Sequence, residues 1–330
     1  MKLAAYCIAM TMLFGQGIPG TAGFQQVTVP DPSGKPLSVG IWYPSNGAVS
    51  NARLGMFTQS VAVNGAVLGN HLSLILISHG TSGSLASHYD TALALAKAGF
   101  VVAAVTHTGD NYMDQSYAGN RKDLTDRPRQ IEVVLNYMLS NWPEHSQINA
   151  ERIGMFGFSL GGFTTLVAIG GTPELSRMAE LCASRPDAPE CSFVKQHHGD
   201  QLEPSPSKPE WAHDTRIKAA VVAAPAVGFL FERGGLARVS VPVQLWRAEN
   251  DQQAPDGWNS AVVRRELPRS PEQHVVPNVD HFVFAAPCSE ALAKAAPALC
   301  QDAVGFDRKA FHEKFNQAVV TFFSRELNRS

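Results

Sequence analysis

The chain has 330 residues, 45% of them hydrophobic and 17% charged, which is enough apolar content to bury one large core. A formal net charge of -2 leaves no electrostatic footprint for nucleic acid or for an anionic membrane surface. After the first residues, no apolar run is long enough to span a bilayer, so no stable membrane insertion is expected.

Lys2, the apolar run Leu3 to Phe14 and the small residues ending Gly20-Thr21-Ala22 predict a signal peptide over 1–22, with cleavage near Ala22. Cys7 follows Tyr6 inside the apolar run and fits a lipidation site poorly. The expected product is therefore a soluble exported protein, periplasmic or secreted, with a retained uncleaved anchor as the alternative. Removing the leader takes away one of five cysteines and leaves an even set. Cys182 and Cys191 flank Pro186 and Pro189, and Cys288 and Cys300 flank an alanine-rich stretch, so the local pairing is the natural one of three connectivities. An oxidising compartment would permit both disulfides.

Residues 23–330 read as one domain. Phe24 to Val29 and Leu37 to Tyr43 are predicted antiparallel strands joined by the turn residues Asp31-Pro32-Ser33-Gly34. Apolar strands and helical runs then alternate: Leu72 to Ser78 before Tyr89 to Ala98, Phe100 to Thr106 before Pro128 to Leu139, and Arg152 to Gly157 before Gly162 to Ile169. Such alternation predicts an α/β fold whose mostly parallel central sheet is covered by helices on both faces. Ile217 to Ala224 and Val241 to Trp246 extend the sheet. Lys309 to Arg325 closes the chain as a helix, with Phe311, Phe315, Val319, Phe322 and Phe323 at core spacing.

Gly157-Phe158-Ser159-Leu160-Gly161 fits Gly-x-Ser-x-Gly between a predicted strand and a predicted helix. A serine on such a turn needs neighbours without a Cβ, and the turn lifts its hydroxyl off the sheet, so Ser159 is the candidate nucleophile. A base and an orienting acid should follow in the order Ser, acid, His. The loop after Val241 to Trp246 offers Asp251, with Glu249 and Asp256 as alternatives, because spacing alone does not fix a loop position. The short strand His274 to Pro277 leads into Asn278-Val279-Asp280-His281-Phe282, which supplies His281 as the candidate base. Acid and base would both sit just past strand C-termini, where open α/β sheets bind ligands. Two backbone N–H groups should stabilise an oxyanion: that of Leu160, after the nucleophile, and that of Thr81, in the loop His79-Gly80-Thr81-Ser82.

Residues 172–214 interrupt the alternation with many prolines, one cysteine pair and His197-His198, and read as a small cap insertion over the pocket. Lys195, His197 and His198 lack further ligands at suitable spacing, so a solvated surface is expected there, with no metal site and no cofactor. Asn111 to Asp126 reads as a second polar excursion at the same sheet edge. His107 and Asp110 beside it could equally line the cleft or bond the loop.

Together these residues resemble the α/β-hydrolase superfamily, and more narrowly the dienelactone-hydrolase-like proteins that include the platelet-activating-factor acetylhydrolases. The resemblance spans nearly the whole mature chain. It rests on Ile41-Trp42-Tyr43-Pro44, Ser78-His79-Gly80, Ala98-Gly99-Phe100-Val101-Val102, Thr106-His107-Thr108-Gly109-Asp110-Asn111, the Gly-Phe-Ser-Leu-Gly-Gly turn at 157–162, and Asp280-His281. True dienelactone hydrolases carry a cysteine where this chain has Ser159. The resemblance implies a cofactor-free serine hydrolase acting on a small-molecule ester, with amide, lactone or polyester substrates as alternatives. A hydrolase-like binding protein without turnover would need a missing triad member.

Overall fold

The computed structural model describes residues 20–197 and 210–328. Most of the expected signal peptide and part of the cap insertion, including His198, lie outside the described residues.

The described chain opens with strands β1 (Thr21–Val29) and β2 (Leu37–Ser45), followed by a hairpin of β3 (Ser50–Leu54) and β4 (Phe57–Val63). The repeating part follows as β5 (Leu72–Ser78), α1 (Tyr89–Lys97), β6 (Val101–Thr106), α2 (Arg121–Ser140), β7 (Ile148–Phe158) and α3 (Leu160–Ala168). Two short helices come next, α4 (Arg177–Ser184) and α5 (Pro189–Gln196), then β8 (Ile217–Ala223), β9 (Val243–Ala248), α6 (Ser260–Glu266) and β10 (Glu272–Val276). Helices α7 (Glu290–Ala295) and α8 (Arg308–Leu327) close the chain.

All ten strands form one sheet, in the order β10-β9-β8-β7-β5-β6-β2-β1-β4-β3. From β10 to β6 every pairing is parallel, while β2 runs antiparallel to both β6 and β1. The expected mostly parallel sheet is therefore present. Strand β5 shows why its segment forms an interior strand: six of its seven residues are buried, so its near-continuous apolar run serves both faces.

Two cores sandwich the sheet. One packs α2, α3 and α6 through residues such as Ile131, Val134, Phe163 and Val263. On the other face α1 and α8 contribute Leu95, Phe315, Val319 and Phe323. The aromatic stripe predicted on the last helix is core as expected, with Phe311 only partly buried.

Several elements differ from the sequence reading. Helix α2 begins at Arg121 and not at Pro128, so the supposed polar excursion ends at Asn120. Asn120 caps the helix by accepting from Asp123 N (3.2 Å), and Pro128 sits inside it. The β3–β4 hairpin escaped notice because β3 is mostly exposed and carries little apolar signal. Helix α6, only seven residues long, is a further addition. Strand β1 starts at Thr21, with Ala22 buried and Thr21 Oγ1 donating to Ser45 O (2.7 Å).

Three fully buried histidines should make the fold acid-sensitive. Burial pushes His88 down to about 4, and burial together with the Arg127 charge holds His79 and His107 well below the usual imidazole range. The unfolded chain takes up these protons below about pH 6.5, whereas the folded chain refuses them. Their contribution is therefore complete above that pH and is lost as pH falls toward the folded values, by up to about 1.4 kcal/mol per pH unit for each group. Denaturant unfolding at stepped pH should show this decline. His88→Phe should make it shallower, leaving the share of His79 and His107, because His88 already packs edge-on against Phe156 and Phe158 (ring centroids 5.0 and 5.4 Å).

Candidate active site

Strand β7 ends at Phe158, and the chain turns at once into α3 through Ser159, whose backbone takes φ 55° and ψ -119°. That left-handed conformation is strained for a residue with a Cβ. Backbone bonds hold it: Ser159 N donates to Ala223 O (2.9 Å), and Ser159 O accepts from Gly162 N (2.8 Å) and Ala226 N (3.1 Å). Two glycines are sterically required. A Cβ at Gly157 would run into Gly161 O and Thr165 Oγ1, and one at Gly161 would strike the backbone of Ser78 and His79.

The structure brings Ser159, Asp251 and His281 together. His281 Nε2 lies 2.8 Å from Ser159 Oγ, and its Nδ1 lies 2.8 Å from Asp251 Oδ2. A carboxylate only accepts, so Nδ1 carries the proton and Nε2 is left to accept from the serine hydroxyl. His281 is 2% exposed and Asp251 7%, while Ser159 is half-buried. The Phe158 ring packs against the imidazole at 4.8 Å.

Neighbouring parallel strands deliver Asp251 and His281 side by side, since β9 pairs with β10 and their following loops continue the pairing. Asn250 N donates to Val279 O (3.0 Å), and Asp280 Oδ1 accepts from Gln252 N (2.8 Å) and His281 N (2.7 Å). Asp251 Oδ1 is fixed by Gln253 N (3.0 Å) and Ala254 N (2.7 Å), leaving Oδ2 for the histidine. The alternative acids are engaged elsewhere. Glu249 accepts from Asn278 N (2.9 Å), and Asp256 lies 3.7 Å from Arg247 Nε.

Thr81 and Leu160 line the same cavity as Ser159 and His281, an apolar space of about 290 Å³. Helices α4 and α5 contribute Met178, Glu190, Phe193 and Val194 to its wall. The disulfide Cys182–Cys191 ties these two helices together, and Cys288–Cys300 closes a second loop near the wall residue Leu299. Burial raises the Glu190 carboxyl above its usual range, although Asn259 Nδ2 (2.8 Å) and Trp258 Nε1 (3.0 Å) both donate to Oε1.

His107 and Asp110 bond the loop. Both are fully buried beneath His79-Gly80-Thr81, where Asp110 pairs with Arg127 and His107 Nε2 meets Ser78 Oγ (2.9 Å). Arg127 and the cavity-lining Asp123 escaped the sequence reading because their segment looked like a polar loop. Their signal was available: Asp123, Arg127 and Ile131 recur every fourth residue, which puts two charges on the buried face of one helix. Burial, reinforced by Asp110, pushes the Asp123 carboxyl well above its usual range despite Arg127 nearby. His197 Nδ1 is spent on Phe193 O (3.0 Å). Among the described residues no group of three or more His, Cys, Asp or Glu side chains could hold a metal ion, and no helix is long and apolar enough to cross a membrane.

A search of curated proteins finds no match to the chain. Residues 87–183, from just before α1 through Ser159 to α4, match the model of the prolyl oligopeptidase family. The narrower likeness to dienelactone hydrolases and platelet-activating-factor acetylhydrolases receives no support from that match, which points to a family named for peptide cleavage. Match, sheet order and strand–turn–helix at Ser159 agree on the α/β-hydrolase fold and support a serine hydrolase.

Proposed function

We propose that the protein is an exported serine hydrolase that cleaves carboxylic esters of small molecules through an acyl-enzyme. The observation that carries this reading is the continuous relay from Asp251 through His281 to Ser159 Oγ, opening on a capped apolar cavity. His281 Nε2 takes the Ser159 proton as Oγ attacks the ester carbonyl, and Asp251 holds the ring in the tautomer that can accept it. The N–H groups of Thr81 and Leu160 receive the oxyanion. His281 then returns the proton to the leaving alcohol, and water attacks the acyl-serine by the same route in reverse.

The cavity favours esters over polypeptides. At about 290 Å³ it lies at the small end of ligand pockets, and helices α4 and α5 form part of its wall. The cap thus serves as the determinant of acyl size, and no cofactor is needed. Export is supported by the leader-like apolar run Leu3 to Phe14 after Lys2 and by the two disulfides.

A second reading, cleavage of peptide bonds, is favoured by the match over residues 87–183. Paired substrates separate the two: p-nitrophenyl esters of graded acyl length, the corresponding p-nitroanilides, and short proline-containing peptides. The ester reading expects turnover of short-chain esters with a sharp fall at longer acyl length and no peptide cleavage. Peptide cleavage at a rate equal to or above that of the best ester would overturn it.

A further inference from the structure

A buried ion pair lies directly beneath the loop that holds Thr81. Arg127 and Asp110 are 1% and 0% exposed, and Arg127 Nη1 meets Asp110 Oδ2 at 2.6 Å. Each partner also bonds one end of the loop. Arg127 Nη2 donates to His79 O, and Asp110 Oδ1 accepts from Ser82 N (2.7 Å). These two anchors stand immediately outside Gly80-Thr81, one on each side. Arg127 Nε also donates to Thr164 Oγ1 (3.2 Å), whose hydroxyl in turn donates to Leu160 O (2.9 Å) on the first turn of α3.

We propose that the Asp110–Arg127 pair is a positioning device for the oxyanion site, clamping the loop that presents Thr81 N–H and registering it against the α3 turn that presents Leu160 N–H. The proposal rests on the serine-hydrolase reading and adds residues that touch no substrate.

Chemistry of the surroundings supports it. His79 Nε2 accepts from His107 N (3.0 Å) while Nδ1 donates to Gly80 O, and His107 Nδ1 donates to Gln130 Oε1 (2.8 Å) while Nε2 accepts from Ser78 Oγ. Both imidazoles therefore use one donor and one acceptor and are neutral, in line with the burial that holds them below the usual range. Burial likewise keeps the Asp123 carboxyl protonated to higher pH. Arg127 is thus the cation of the cluster and Asp110 its counter-charge. A guanidinium supplies donors in fixed directions, so one side chain can bind a carboxylate, a loop carbonyl and a helix hydroxyl at once. A lysine ammonium cannot span all three.

Arg127→Lys is the test variant, because it keeps the buried charge. A donor aimed at an oxyanion is worth about 100-fold or more in kcat, so a displaced Thr81 N–H should lower kcat by about 100-fold while KM stays within about threefold. The discriminating readout is a trifluoromethyl ketone that forms a tetrahedral adduct on Ser159. Its affinity should fall by the same factor as kcat/KM, whereas general loosening of the fold would leave the ratio of inhibitor to substrate affinity unmoved. Should Arg127→Lys fail to fold, the double variant Asp110→Asn/Arg127→Gln leaves no unpaired buried charge and carries the same test. Unchanged inhibitor affinity in a folded variant overturns the clamp while the serine mechanism stands. A wild-type protein that the ketone does not inhibit overturns the serine reading itself.

Discussion

Ser159→Ala should leave a folded protein whose ester hydrolysis has fallen by about 10^5-fold, since removing the nucleophile of such a relay abolishes nearly all acceleration. The substitution deletes one oxygen from a half-buried side chain whose hydroxyl bonds only His281 Nε2. The strained turn persists, because its bonds to Ala223, Gly162 and Ala226 are made by the Ser159 backbone. Circular dichroism and thermal unfolding should therefore match the parent within error while the rate collapses. Retention of more than a few per cent of parental rate would remove Ser159 from the mechanism.

Asp251→Asn should cost about 10^4-fold in kcat with little change in KM, because an amide that donates to Nδ1 leaves the proton on Nε2 and the ring can no longer accept from serine. Glu249→Gln and Asp256→Asn provide the internal comparison. Glu249 is exposed and holds only the Asn278 turn, and Asp256 sits beside Arg247, so each should leave kcat within about twofold, in the range of surface changes that touch no reacting group. Damage from either, with Asp251→Asn active, would mean that a different carboxylate orients the histidine in solution.

What could be read from the amino-acid sequence follows from where physical signals are local. Strands β5 and β6 were legible because strands buried on both faces must be continuously apolar, and Leu72–Ser78 and Val101–Thr106 are. The turn at Ser159 was legible because its glycines answer to steric demands that no other residue meets. The acid was narrowed only to three carboxylates. The choice among them depends on how the loop after β9 folds against the loop after β10, through Asp280 and the N–H groups of Gln253 and Ala254. That pairing joins segments about thirty residues apart, and no local pattern encodes it.

Helix α2 shows the converse failure. Arg121–Asp126 is polar, so it read as loop, yet Asn120 caps it and Leu124 and Arg127 turn inward. A buried arginine imitates a surface residue in any hydrophobicity pattern. Its meaning appears only when Asp110, His79 and Thr164, from three other segments, converge on it. Polar residues on a buried helix face are thus the class that a hydrophobicity pattern overlooks, even where, as with Asp123 and Arg127, their spacing from Ile131 marks the face.

The central claim is that Ser159 carries the acyl group between two chemical steps. Rapid quenching of the wild-type protein during turnover of p-nitrophenyl butyrate, followed by peptide mass mapping, tests it most directly. The account predicts a butyryl mass increment on the peptide containing Ser159, forming with a burst of p-nitrophenol that does not exceed one equivalent of enzyme and absent from Ser159→Ala. Full turnover with an acyl group on another residue of the wild-type protein would contradict it.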